Sequence, residues 1–215
     1  MTPPAKDALQ TQQRRAFWLR HLHQWHWISS GLCLIAMILF AATGITLNHS
    51  AQIEAHPVIL KKTGHLPRPL LDQMQQKHGA DSTDLPLPEP VRDWLKTDMS
   101  VDVSDQIPEW SPEEVYLALP RPGGDAWLRL DLDSGDLEYE ITDRGWIAYF
   151  NDLHKGRNTG SAWNWFIDIF AATCLIFCIT GLFLLKMHAR NRPTTWPLVA
   201  LGLVLPLLLA FIFIH

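Results

Sequence analysis

Histidines at the ends of long apolar segments are the residues of this sequence best suited to chemistry. The chain has 215 residues and ten histidines. Neutral imidazole is a good metal ligand, and a haem iron held between two imidazoles is a common electron-transfer site. Five histidines flank two apolar segments and are therefore candidates for such sites: His23, His26, His49, His154 and His188.

The order along the chain pairs these histidines by depth in a membrane. His23 or His26 pairs with His188 at one face, and His49 pairs with His154 at the other. In a helix, about 34 Å and about 140° of rotation separate His26 from His49, and about 39 Å and about 80° separate His23 from His49. His23 therefore better shares a face with His49, whereas His26 lies at the better depth, and both remain candidates. The alternative interpretation is that each histidine is an ordinary polar residue of the lipid interface.

Three apolar segments are each long enough to cross a membrane as a helix. About 20 apolar residues span the roughly 30 Å of a bilayer's hydrocarbon core. A polar segment rich in proline and acidic residues separates the first span from the second. The predicted organisation is a basic N-terminal segment (1–26), a first span (27–48), a folded domain (49–160), a second span (161–187), a short loop (188–195) and a third span (196–214).

The positive charges predict the orientation, because short basic segments stay in the cytoplasm. The folded domain has 20 acidic against 11 basic residues, a balance of −9, which gives no support to nucleic-acid binding. We therefore expect a bacterial inner-membrane protein with a cytoplasmic N-terminus, and with its folded domain and C-terminus in the periplasm. Its first predicted partner is the lipid bilayer. The basic residues that carry this prediction are Lys6, Arg14, Arg15 and Arg20 before the first span, and Arg190 and Arg192 in the short loop.

The folded domain is predicted to be a small antiparallel sheet that carries helices. Residues 115–119, 127–132 and 137–141 are strand-like and are separated by turn sequences. Residues 70–78 and 91–97 are predicted short helices. The fold class is thus a membrane α-helical protein with three transmembrane helices and a small α+β domain. Near the end of this domain, Arg157 is placed to neutralise a haem propionate or an anionic substrate, or else to contact a lipid headgroup.

Several short motifs resemble the PepSY-associated transmembrane helix family of bacterial inner membranes. They surround the first two spans, and the third of them is the most specific. These motifs are Leu22-His23-Gln24-Trp25-His26, Thr43-Gly44-Ile45-Thr46-Leu47-Asn48-His49, Asn151-Asp152-Leu153-His154-Lys155-Gly156-Arg157 and Thr180-Gly181-Leu182-Phe183-Leu184-Leu185.

This resemblance implies a haem protein. Larger members of the family include ferrisiderophore reductases, which bind haem b through membrane histidines and reduce ferric chelates in the periplasm. By that resemblance, one or two bis-histidine haems would be held by His23 or His26, His49, His154 and His188. His23 matches the family's Leu-His-x-Trp pattern, and His26 is additional. Residues 113–143 resemble a reduced PepSY module.

The leading hypothesis is a b-type cytochrome. It would accept electrons from a quinol or a cytoplasmic donor and pass them to a periplasmic acceptor such as a ferric siderophore, acting as a membrane-bound ferric-chelate reductase. One alternative is a non-enzymatic membrane subunit, working as a homo-oligomer or with a protein partner that its outer domain binds or regulates. Another is a metal-handling protein whose histidines bind iron or copper directly.

Overall fold

The computed structural model describes residues 5–78, 85–103, 106–189 and 192–214, except for the side chains of residues 5–8, 77 and 78. Arg190, part of the predicted basic loop, lies outside the described residues. The helices in chain order are α1 (Ala5–Asn48), α2 (Arg68–His78), α3 (Glu89–Asp98), α4 (Trp146–Lys155), α5 (Gly160–His188) and α6 (Thr195–Phe213). The strands are β1 (Val58–His65), β2 (Glu109–Trp110), β3 (Glu114–Ala118), β4 (Gly124–Asp131) and β5 (Asp136–Asp143).

Three of the described helices, α1, α5 and α6, are long and apolar enough to cross a membrane. Most of their side chains are exposed, as expected where lipid rather than protein surrounds a helix. Helix α1 continues without a break from the predicted basic segment into the first span. Its described part before that span contains no proline or glycine to interrupt it.

The chain forms two compact units. The helical unit consists of Met1–Leu39 and Phe166–His215, and the sheet unit consists of Phe40–Trp165. The sheet unit therefore includes the last turns of α1, strands β1 to β5, helices α2 to α4 and the first six residues of α5.

An antiparallel sheet in the order β1-β5-β4-β3-β2 organises the sheet unit. Along β4 the side chains alternate, so that Leu128 and Leu130 are buried while Arg129 between them is exposed. Helix α2 contributes Leu71 and α3 contributes Leu95 to the same apolar core. The predicted fold class, three membrane helices plus an α+β domain, is confirmed.

Strands β1 and β2 were not among the predicted strands. Strand β1 lies at the edge of the sheet and pairs only with β5 among the described strands. Seven of its eight residues are exposed, so neither face shows the alternation of apolar and polar residues that marks a half-buried strand. Strand β2 has only two residues, Glu109 and Trp110.

The turn between β4 and β5 is built around Asp131. Its Oδ1 accepts hydrogen bonds from the backbone N–H groups of Asp133 (3.0 Å) and Ser134 (2.8 Å) and from the Ser134 hydroxyl (3.0 Å). The bond from the Ser134 backbone, followed by that from its hydroxyl, lowers the pKa of Asp131 below its ordinary value. Gly135 follows with a φ of 82°, which the turn requires.

Candidate functional site

The predicted site residues lie on three helices or directly beside them. His23 and His26 lie on α1, His188 is the last residue of α5, and His154 lies in the last turn of α4. His49 follows the end of α1. His26 and His154 are half-buried, whereas the other three are exposed.

His23 and His188 face each other across α1 and α5 in the helical unit. Their ring centroids are 5.9 Å apart and their planes are nearly perpendicular, at 87°. The sequence left open whether His23 or His26 would meet His188, and the ring that lies beside His188 is that of His23.

Each of these two rings is fixed by a hydrogen bond to its own helix. The His23 Nδ1–H donates to the Leu19 carbonyl oxygen, and the His188 Nδ1–H donates to the Leu184 carbonyl oxygen, both at 2.8 Å. A carbonyl oxygen only accepts, so Nδ1 must carry the proton in both rings. In the neutral imidazole the lone pair is then on Nε2, the nitrogen that is free to bind a metal.

His26 is held by α5. Its Nδ1–H lies 3.1 Å from both the Phe177 carbonyl oxygen and the Thr180 Oγ1. Its ring stacks on the Phe177 ring with centroids 4.5 Å apart and planes inclined by 15°. A Cβ at Gly181 would lie only 3.1 Å from the His26 Cε1, so the imidazole packs directly on the helix backbone.

A groove of about 540 Å³ lies beside His26 in the same unit. This volume is in the range of small-molecule and cofactor pockets, about 300–1,000 Å³. Apart from two histidines, the lining is apolar side chains and backbone of α5. The lining residues are His26, Phe177, Cys178, Gly181, Leu182, Leu184, Leu185 and His188.

His154 is held by α1 in the sheet unit, in the same way as α5 holds His26. The His154 Nδ1 is hydrogen-bonded to the Thr43 Oγ1 at 2.7 Å, and the same hydroxyl lies 3.2 Å from the Phe40 carbonyl oxygen of its own helix. The His154 and Phe40 rings have centroids 4.9 Å apart. A Cβ at Gly44 would lie 3.5 Å from the His154 Cε1.

The two histidine pockets share a five-residue sequence motif. Residues 40–44 read Phe-Ala-Ala-Thr-Gly, and residues 177–181 read Phe-Cys-Ile-Thr-Gly. In both, the phenylalanine contacts the ring, the threonine contacts Nδ1 and the glycine allows the close approach. Sequence reasoning assigned no histidine contacts to these positions, although the repeated Phe-x-x-Thr-Gly was the signal that could have found them.

His49 is bonded to its own helix. The exposed His49 donates its Nδ1–H to the Ile45 carbonyl oxygen of its own helix at 3.0 Å. No hydrogen bond or ring contact joins it to His154 in the part of the chain that is described. Arg157 is exposed, and its backbone N–H donates to the Asp152 carbonyl oxygen at the end of α4. No group of three or more His, Cys, Asp or Glu among the described residues is placed to hold a bare metal ion.

Comparison with known families agrees with the motifs around the two spans. The PepSY_TM-like family matches residues 17–215, which include all five histidines and the three spans predicted from the sequence. The chain belongs to this family. No curated protein and no solved structure matches the chain. Membership and the three long apolar helices together identify a PepSY_TM-like membrane protein.

Proposed function

We propose that this PepSY_TM-like protein is a haem b-binding electron-transfer protein. The observation that carries the proposal is the pair His23 and His188, two imidazoles from different helices whose Nδ1 atoms are already bonded. Because each ring is oriented by its own helix, its Nε2 is available to a ligand without a change of tautomer.

Two imidazoles are a donor set that a haem iron accepts. His23 and His188 would hold it through their Nε2 atoms, and their ring centroids are 5.9 Å apart. The apolar groove that includes His188 is suited to a macrocycle with an apolar body. A bound haem would supply a one-electron couple, and the protein would tune it through the ligands and the surrounding burial.

A second haem would require ligands among the remaining predicted residues, His26, His49 and His154. The Nδ1–H groups of His26 and His49 are bonded to carbonyl oxygens, which leaves the Nε2 atoms of these two rings available, and the Nδ1 of His154 is bonded to the Thr43 hydroxyl. A second haem therefore stays part of the proposal, with Arg157 as a candidate partner for its propionates. A ferric chelate is the acceptor suggested by the resemblance to ferrisiderophore reductases.

Absorption spectra of the purified protein test the proposal. After expression with ample haem supply, we expect a Soret band and, after reduction with dithionite, the α band of a six-coordinate b haem. His23→Ala and His188→Ala should each lose or strongly shift these bands. His21→Ala is the matched control, because His21 lies on the same helix with the same type of Nδ1–carbonyl bond but beside Phe17.

Two results would contradict the proposal. Absence of a Soret band would show that the protein does not bind haem. Full retention of the bands in His23→Ala and His188→Ala would show that these two histidines are not the ligands. If haem is present, the dithionite-reduced protein mixed with a ferric chelate should be reoxidised as ferrous iron appears. Absence of that reaction would exclude the acceptor but not the cytochrome.

A further inference from the structure

Helix α4 has its polar and apolar faces reversed relative to a helix of a water-soluble domain. Trp146, Tyr149 and Phe150 are exposed, at 70%, 43% and 43% of their surface. Asn151 and Asp152 are buried, with 7% exposed each. Large aromatic side chains thus point away from the protein, and a charged and an amide side chain point into it.

The buried polar side chains are satisfied by the protein itself. The Thr46 hydroxyl donates to the Asn151 Oδ1 at 2.7 Å, and the Gly123 backbone N–H donates to the Asp152 Oδ2 at 2.9 Å. Gly123 fits tightly here, since a Cβ at this position would lie 2.7 Å from the Tyr149 Cβ. These contacts fix the rotation of α4 about its axis, and with it the outward direction of the aromatic face.

Helix α4 contacts α1 within the first span, a few residues before the end of that span. Its partners there are Phe40, Thr43, Gly44 and Thr46, all in the apolar stretch that ends at Leu47. Thr43 is four residues before that end, which corresponds to about 6 Å along a helix. At the other side, the Trp163 Nε1–H donates to the Leu153 carbonyl oxygen, which ties α4 to the start of α5.

From these contacts we infer that α4 lies in the membrane interface, with Trp146, Tyr149 and Phe150 against lipid. A helix bound beside the last turns of a membrane span is at the depth of the headgroups and the upper acyl chains. Tryptophan and tyrosine prefer that zone, and an apolar helix face is stable there rather than in water. The inference places residues 146–155, which the predicted organisation includes in the folded domain (49–160), at the bilayer surface. It does not depend on haem or on the direction in which the chain crosses the membrane.

Site-directed spin labelling in proteoliposomes tests the inference. In a variant with Cys33, Cys174 and Cys178 replaced by serine, a nitroxide is placed at Tyr149 or Phe150. We expect collisions with oxygen to exceed collisions with a water-soluble nickel chelate several-fold at both positions. The matched control is Asp93→Cys on the exposed side of α3, where the nickel chelate should dominate.

Two other outcomes would overturn the inference. Labels on α4 that are as accessible to the nickel chelate as the control would place the aromatic face in water. Labels shielded from both reagents would mean that a protein, such as a second copy of the chain, covers this face.

A second measurement uses the unaltered protein, in case the cysteine-free variant does not fold. In vesicles that contain a phospholipid with a photoactivatable group near its headgroup, peptides that cover α4 should carry lipid adducts. Adducts on the peptides of α5 and α6 but none on α4 would refute the interfacial position.

Discussion

Replacing Thr43 with valine removes the hydroxyl that is hydrogen-bonded to the His154 Nδ1 at 2.7 Å, while the volume of the side chain is kept. Hydrogen bonds between membrane helices measured by double-mutant cycles average about 0.6 kcal/mol and reach about 1.7 kcal/mol. The short distance and the half-buried ring place this bond in that range. We therefore expect a coupling free energy of about 0.6–1.7 kcal/mol between Thr43 and His154, which is about a three- to eighteen-fold change in the unfolding equilibrium.

The second pocket with the same motif provides a comparison. His26 has two acceptors within 3.1 Å, the Thr180 hydroxyl oxygen and the Phe177 carbonyl oxygen. Thr180→Val removes only the hydroxyl, so the His26 Nδ1–H keeps the Phe177 carbonyl oxygen as its acceptor. The coupling between Thr180 and His26 should accordingly be smaller than the coupling between Thr43 and His154.

The assay is reversible unfolding in mixed micelles with an increasing fraction of a denaturing detergent, followed by circular dichroism. Thr43→Val, His154→Ala and the double variant form one cycle, and the corresponding Thr180 and His26 variants form the other. The haem content of every variant is measured, so that loss of a cofactor is not counted as loss of a hydrogen bond. A coupling of zero between Thr43 and His154, or a larger coupling between Thr180 and His26, would refute the reasoning.

Two further predictions concern turns of the sheet unit. Gly123→Ala should reduce the free energy of unfolding by more than Gly145→Ala. Both positions have a positive φ, which costs about 1–2 kcal/mol for alanine. At Gly123, but not at Gly145, the added Cβ would also collide with another part of the backbone. Equal losses in the same unfolding assay would contradict this prediction. The second prediction concerns Asp131, whose pKa is lower in the folded than in the unfolded state. Its carboxylate therefore stabilises the fold at pH values above the unfolded pKa of about 3.9. This contribution is lost as the pH falls through the folded pKa. The stability difference between the unaltered protein and Asp131→Asn should therefore shrink from about pH 7 to about pH 3, and a constant difference would show that the charge contributes nothing.

The sequence predicted the elements that have strong local patterns. The apolar segments and the alternation in Trp127-Leu128-Arg129-Leu130 correspond to the membrane helices and to β4. Strand β1 had no such pattern, because it is exposed on both faces and depends on its pairing with β5, a segment about 80 residues further along the chain. Pairing between segments so far apart cannot be inferred from local periodicity.

The position of each candidate histidine along its helix could be read from the sequence, but the direction in which it points around the helix axis could not. His23 and His26 are three residues apart, so they differ by about 4.5 Å in height but by about 60° around the helix axis. Hydropathy and charge locate a residue along the membrane normal, and they carry little information about which neighbouring helix its ring will meet. The packing of α1 against α5 decided that His23 lies beside His188 and that His26 lies on Phe177 and Thr180.

The sequence alone determined that this chain enters a membrane and where its histidines lie along each helix, because transfer of apolar residues into lipid depends on composition and length. The tertiary structure decided which imidazoles meet, which nitrogen of each is occupied, and that α4 turns its aromatic face away from the protein. Those features depend on the rotation and register of helices against each other. Contacts between distant residues, such as Thr43 with His154, fix that register, and no local sequence signal specifies it.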